Sequence, residues 1–194
     1  MLEKLLVKRG ASFASKITVK TAVMFGVAVL AVILPQIFHI VLGAQGGMRW
    51  LPMYLPVLLG GCLLGSAWGL GAGLFAPLVS FAFTSLTGNA MPAAERLPYM
   101  MAELAVFAAV SGAFSDKIAQ NGWFAFPAVL LAQVSGRLFY LLSAFVFSPV
   151  SPLNFAAAWS QVCAGVVGLV AQAVFVPLFV MFIKYLAGRE KGYD

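Results

Sequence analysis

Long apolar segments, separated by short polar or glycine-rich stretches, run through almost the whole chain. A transmembrane helix needs about 20 predominantly apolar residues, because the hydrocarbon core of a bilayer is about 30 Å thick. Helices also pair every backbone polar group within their own segment, as lipid requires. The segments predict six membrane-spanning helices at residues 17–42, 51–66, 69–86, 97–115, 124–147 and 155–186. We therefore expect an all-α membrane protein, a six-helix bundle that forms a single transmembrane domain over residues 1–194.

The second and third predicted helices are short and rich in glycine. Gly60, Gly61, Gly65, Gly69, Gly71 and Gly73 crowd the region where the two helices meet. A re-entrant hairpin is therefore an alternative to two crossings, since each segment is near the lower limit of length for a span. We favour two short spans.

Composition supports a lipid environment. The chain is 62% hydrophobic and only 9% charged, so it has too few polar side chains to cover a core of this size in water. Its net charge of +6 does not indicate nucleic-acid binding, because the basic residues lie at the ends of apolar segments.

The basic residues also predict the orientation of the six helices. One side of the membrane would carry nine of them: Lys4, Lys8, Arg9, Lys16, Lys20, Lys117, Lys184, Arg189 and Lys191. The opposite side would carry two, Arg49 and Arg96. Basic flanks are retained in the cytoplasm, so both termini are predicted to be cytoplasmic.

Polar residues within the apolar segments are costly and therefore informative. They form helical stripes with spacings of three and four residues on the predicted helices. The stripes are Gln133, Arg137, Tyr140 and Ala144 on the fifth helix, Gln161, Gly165, Gly168 and Gln172 on the sixth, Tyr99 and Glu103 on the fourth, and Gln36 and His39 on the first. Most of these side chains fall in the outer half of the membrane, which predicts an outward-facing pocket with a closed floor rather than a channel.

A structural interpretation of these residues stays open. Glu103 and Arg137 can neutralise each other as a buried pair, and glutamine side chains can join neighbouring helices. His39 fits a residue near the headgroups with its polar tip in water. The four tryptophans fit an interfacial belt, although Trp159 and Tyr54 are also candidates for stacking on a ligand.

Two further features bear on partners and chemistry. Thr18, Ala22 and Gly26 recur every four residues and give the first helix a smooth face, suited to a close helix contact within the bundle or with another protein. The chain contains no Walker phosphate loop, HExxH, GxSxG or CxxC motif, so we predict no enzyme activity, no metal site and no cofactor. Any accumulation of a solute would need a partner or an ion gradient.

Five strings in order along the chain carry a family resemblance: LPQIFH (34–39), LPMYLPVLLGG (51–61), GLFAPLVSF (73–81), MAELAVFAAVSG (101–112) and SGR (135–137). Together with the six helices and the length, they resemble the substrate-binding S components of energy-coupling factor (ECF) transporters. The chain departs from the family pattern at Tyr54, where a histidine is common, and in the turn TGNAMP at 87–92.

The resemblance implies a vitamin-uptake subunit of the bacterial cytoplasmic membrane. Its partners would be a transmembrane coupling (T) subunit with two ABC-type ATPases, and its substrate a small water-soluble vitamin or precursor. The small-residue strip of Thr18, Ala22 and Gly26 would contact the coupling subunit. The candidate substrate-binding residues are Gln36, His39, Tyr54, Asn89, Glu103, Gln133, Arg137, Tyr140, Trp159 and Gln161.

We expect Arg137 to offer a charged donor to an acidic group of the substrate, with loops at 43–50 and 88–96 closing over it. Two other classes stay open. A self-sufficient secondary transporter would be expected to carry inverted repeats, and we find no convincing internal repeat. A structural membrane subunit would use the polar stripes for packing alone.

Overall fold

The computed structural model of the protein describes residues 1–8, 10, 12–86, 88, 91–147 and 155–189. Within these ranges the chain is helical, and no strand occurs. The α-helices are α1 (Leu2–Lys8), α2 (Phe13–Trp50), α3 (Tyr54–Leu64), α4 (Ser66–Leu86), α5 (Leu97–Ala113), α6 (Ser115–Gln120), α7 (Ala125–Phe147) and α8 (Phe155–Arg189), with 3-10 turns at Ala94–Arg96 and Gly122–Phe124.

Five helical stretches of the described chain are long and apolar enough to cross a membrane: Phe13–Gly43, Gln45–Leu64, Ser66–Leu86, Gly122–Phe147 and Phe155–Ala187. Helix α5, which the sequence predicted as a further span, has 17 residues. Large apolar side chains such as Phe25, Ile40 and Leu86 point away from the protein and are mostly exposed. Such a surface suits a lipid solvent, so the all-α, multi-pass membrane class predicted from the sequence is confirmed.

Helix α2 is broken at Gly43 and then continues to Trp50. Gly43 has a φ of 70°, a backbone conformation that glycine adopts without the steric cost of a side chain. The prediction of a loop over residues 43–50 was therefore wrong, because the helix resumes after the break. Beyond Trp50 the chain turns at Leu51, and the Gln172 amide of α8 donates to the Trp50 and Leu51 carbonyl oxygens at 3.1 and 2.9 Å.

The helices that form the bundle are α2, α3, α4, α5, α7 and α8. Each runs antiparallel to the one before it in this order, so the bundle has two distinct ends. One end carries α1 and α6, and we call it the α6 end. Lys184 near the end of α8 donates to the carbonyl oxygens of Ile118 and Gln120 there, at 3.3 and 2.8 Å. The other end carries residues 43–54 and 91–96, and we call it the cavity end.

Helix α1 lies against the α6 end of the bundle. The side chain of Met1 is only 2% exposed and belongs to the main apolar core, which also contains Cys62. Lys20 of α2 donates to Glu3 of α1 at 2.6 Å, and this hydrogen bond lowers the pKa of the Glu3 carboxyl. The pair joins α1 to the first long helix.

Helix α5 lies at the centre of the bundle, between α3, α4 and α7. Glycines on α3 and α4 allow this close approach, because a β-carbon at Gly61 or Gly73 would collide with the α5 backbone. At Gly73 the added carbon would lie 2.5 Å from the carbonyl oxygen of Leu104. The crowding of glycines in this region therefore serves helix packing, and Gly65 (φ 89°) ends α3 before α4 begins.

Candidate functional site

A cavity of about 270 Å³ opens at the cavity end of the bundle. Its lining comes from α2, the 51–54 turn, the 91–96 segment, α5, α7 and α8. Pockets for small ligands typically have volumes of a few hundred cubic ångströms, so this one suits a small molecule.

The deepest polar group of the cavity is the carboxylate of Glu103 on α5. Glu103 is 1% exposed and accepts a hydrogen bond of 2.5 Å from the Tyr54 hydroxyl. The Tyr54 ring meets Phe107 edge-on, with 5.2 Å between the ring centroids. Phe107 is fully buried, so an apolar layer lies directly beneath the carboxylate. We call this layer the floor of the cavity.

Arg137 on α7 lies beside this carboxylate and is not among the residues that line the cavity. Its Nη1 is 3.0 Å from Glu103 Oε1, and its guanidinium carbon is 5.0 Å from the centroid of the Tyr54 ring. Nε, Nη1 and Nη2 make no well-aligned hydrogen bond to any described residue. Arg137 is therefore held by charge and by the Tyr54 ring, and it serves first to neutralise Glu103.

The wall of the cavity is formed by Tyr140 of α7 and Gln161 of α8. The Tyr140 hydroxyl donates to Gln161 Oε1 at 2.6 Å. The amide Nε2 of Gln161 donates to no residue of the described chain. His39 of α2 also lines the cavity. Gln161 Nε2 and the His39 ring can donate hydrogen bonds to a ligand, whereas the Tyr140 hydroxyl, which already donates to Gln161, can only accept one.

The 91–96 segment covers the cavity and is fixed to α4. The Ser80 hydroxyl donates to the Met91 carbonyl oxygen at 2.9 Å, and the Met91 amide donates to Thr84 Oγ1 at 2.8 Å. Because the segment is anchored in this way, Pro92, Ala93 and Arg96 join the lining.

Two components of the lining were not predicted from the sequence. Arg96 was counted only among the basic residues that predict the orientation of the helices. Its position could have indicated more, because it directly precedes a predicted helix and lies within a segment predicted to close over the site. The second component is four methionines from different segments: Met48, Met53, Met91 and Met100. Nothing in their spacing along the chain predicts that they meet, because they come together only through the fold.

The structure brings five of the ten candidate residues into the cavity lining: His39, Tyr54, Glu103, Tyr140 and Gln161. Gln36 lies next to it, with its amide 4.0 Å from the Met91 sulfur. Gln133 instead donates to the Leu169 carbonyl oxygen at 2.9 Å and joins α7 to α8, and Trp159 is 53% exposed on the surface. Asn89 lies outside the described residues.

The small-residue strip of Thr18, Ala22 and Gly26 is exposed along its whole length. A β-carbon added at Gly26 would meet no atom within 4 Å. The strip is therefore not a packing seam within the bundle, which was one of its two predicted uses.

Fold and site together define a multi-pass α-helical membrane protein whose bundle has, at one end, a largely apolar cavity with a few polar side chains in its wall. No family model, curated protein or solved structure matches the chain.

Proposed function

We propose that the protein is the substrate-specificity subunit of an ECF-type transporter in a bacterial cytoplasmic membrane. It would bind a small water-soluble vitamin or vitamin precursor from outside and release it inward after docking on a coupling subunit with two ATPases. The observation that carries the proposal is the cavity, in which polar side chains from α2, α5, α7 and α8 converge above an apolar floor.

The proposed topology has six crossings and places both termini in the cytoplasm. Helices α3 and α5, with 11 and 17 residues, belong to the two short crossings. Charge supports this orientation. Lys4, Lys20, Lys117 and Lys184 lie at the α6 end, whereas Arg49 and Arg96 lie at the cavity end. Since basic flanks stay in the cytoplasm, the cavity would face the exterior.

The closed floor favours a receptor over a channel. Below Glu103 the described core is mostly apolar, with Phe107, Ala108 and Val129 all fully buried. The buried polar side chains there, Ser111 and Gln133, donate to backbone carbonyl oxygens of Ala108 and Leu169. A bound solute would have no polar path through the bundle, so its release would need a movement of the whole subunit or of its helices. This requirement fits a protein that depends on a partner for energy.

The exposed strip of Thr18, Ala22 and Gly26 supports the proposed docking on a coupling subunit. Small residues allow a partner helix to approach the backbone closely, which is how helices associate in lipid. The remainder of α2 carries bulky exposed side chains such as Phe25 and Val29, which suit contact with lipid.

Affinity purification from the native membrane tests the proposal. A tagged chain is expected to retain a transmembrane coupling subunit and two ATPases, identified by mass spectrometry. Ala22→Leu and Gly26→Leu should abolish this retention, because the added side chains keep the partner helix away. Ala82→Leu is the matched control, since Ala82 is an exposed alanine on α4, and it should retain the partners. Absence of ATPases from the wild-type preparation would overturn the proposal.

A structural membrane subunit is the second candidate, favoured by the use of Gln133 and Gln172 in joining helices. Such a subunit would bind no solute. A self-sufficient transporter would bind a solute but retain no ATPase. Ligand binding and co-purification together therefore separate the three classes.

A further inference from the structure

The charges around the cavity do not balance. Glu103 is the carboxylate of the lining, and it is already engaged by the Tyr54 hydroxyl and the Arg137 guanidinium. Arg96 supplies a second guanidinium, directly in the lining. With one carboxylate and two guanidinium groups, the site carries a net positive charge.

Arg96 is the cation of the site that has no ionic or side-chain hydrogen-bond partner among the described residues. No described residue makes an ion pair or a side-chain hydrogen bond with Arg96, although Glu95 is its neighbour in the chain. Its side chain is half-buried, and the 91–96 segment that carries it is fixed to α4 through Ser80 and Thr84. A guanidinium that is anchored, partly desolvated and unpaired binds anions well, because its planar fork matches a carboxylate or phosphate.

Other groups in the cavity lining indicate what kind of anion would fit beside Arg96. The free amide Nε2 of Gln161 is a further donor in the same lining. The rest of the wall is apolar and includes the four methionines, whose polarizable side chains adapt to irregular or aromatic surfaces. The complementary ligand has one anionic group and a compact apolar or ring-bearing body.

We propose that the cavity selects small organic anions and that Arg96, rather than Arg137, binds the anionic group of the ligand. This inference rests on the proposed receptor function and narrows its substrate class. Arg137 acts as a positioning residue, since it holds the Glu103 carboxylate and the Tyr54 ring in place above the apolar floor. Arg96 is the specificity-determining residue.

Matched ligand pairs test the inference. Purified protein in lipid nanodiscs is titrated with pantothenate and panthenol, biotin and biotin amide, and pyridoxine 5′-phosphate and pyridoxine, by calorimetry and thermal shift. At least one acid should bind about 10- to 100-fold more tightly than its neutral counterpart, as expected for a charge-assisted hydrogen-bonded pair. The carboxylate and phosphate pairs show which anion the site takes.

Variants of Arg96 then test whether this residue binds the anionic group of the ligand. Arg96→Gln should reduce the preference for the acid to about three-fold or less, whereas Arg96→Lys should retain part of it because the charge remains. Arg49→Gln is the matched control, an exposed arginine at the same end that does not line the cavity, and it should leave the preference unchanged. If Arg96→Gln fails to fold, the folded Arg96→Lys variant and the wild-type ligand pairs still decide the outcome.

Several results would overturn the inference. If the neutral ligands bind as tightly as their acids or more tightly, the preference for anions is wrong, whereas the receptor function stays in place. An unchanged preference in folded Arg96→Gln would also overturn the inference. Silver(I) binding that no organic anion competes with would identify the methionines and His39 as a soft-metal site instead. If no ligand binds at about 1 mM, the anion assignment and the receptor function both fail, whereas co-purification with ATPases tests the coupling role separately.

Discussion

The Nη1 atom of Arg137 on α7 lies 3.0 Å from the Oε1 atom of Glu103 on α5, and both side chains are almost completely buried. The pair joins two central helices directly beneath the cavity. It explains why two ionisable side chains are tolerated at membrane depth, since each compensates the charge of the other.

Removing one partner of this pair should strongly destabilise the protein. We expect Arg137→Ala to lower the free energy of unfolding by about 3–5 kcal/mol, because the Glu103 carboxylate would stay buried without a counter-charge. Thermal unfolding in detergent measures the effect. The double variant Glu103→Gln/Arg137→Met should recover most of the loss, and Arg49→Ala should have little effect. Wild-type stability of Arg137→Ala would mean that the pair contributes nothing to the fold.

Two glycines on α4 should respond differently to the same substitution. Gly73→Ala places a carbon 2.5 Å from the Leu104 carbonyl oxygen of α5, so we expect a loss of about 1–3 kcal/mol from overpacking. Gly71→Ala is the control, since its nearest neighbour would be the Met24 sulfur at 3.9 Å. That variant should be neutral or gain up to about 1 kcal/mol from helix propensity. Equal stabilities of the two variants in chemical denaturation would contradict the close packing of α4 on α5.

Cysteine labelling in whole cells tests the proposed orientation. In a Cys163→Ala background, Glu95→Cys should react with a membrane-impermeant maleimide, because the 91–96 segment would face the exterior. Asp116→Cys on α6 should react only after the membrane is permeabilised. Both parent residues are exposed, and the native Cys62 is buried and should stay silent. The reverse pattern would place the cavity in the cytoplasm and exclude uptake from outside.

The contact between Glu3 and Lys20 should control how firmly α1 covers the α6 end. In the same Cys163→Ala background, Glu3→Gln should increase the slow rate at which a membrane-permeant thiol reagent modifies buried Cys62 over long exposure by about two- to five-fold, the effect of losing one exposed ion pair. Because Lys20 lowers the pKa of Glu3, the pair is intact above the ordinary glutamate pKa and is lost as the pH falls through the lowered value. Glu3→Gln thus reproduces at neutral pH the state that low pH produces, in which Glu3 is uncharged and its ion pair with Lys20 is lost. Glu95→Gln, a change far from α1, should leave the rate unchanged.

The positions of the long helices could largely be predicted from the sequence, because lipid imposes a length and an apolar composition on any segment that crosses it. Helix α4 occupies Ser66–Leu86 where 69–86 was predicted, and α8 occupies Phe155–Arg189 where 155–186 was predicted. The short helices α1 and α6 were not predicted. They are too short for hydrophobic periodicity to reveal, and α1 is held by tertiary contacts at Met1 and Glu3.

The candidate site could be predicted only in part. Polar residues in apolar helices identified Glu103, Arg137, Tyr140 and Gln161 as a group, since such residues avoid lipid and turn towards each other. Sequence spacing does not report the rotation of one helix against another or the path of a connecting segment. Only the tertiary structure determines that Arg137 lies behind Glu103, and that Ser80 and Thr84 fix the segment that carries Arg96 over the cavity. The bilayer therefore sets which segments are helical, whereas side-chain packing between the helices decides which charge a ligand meets.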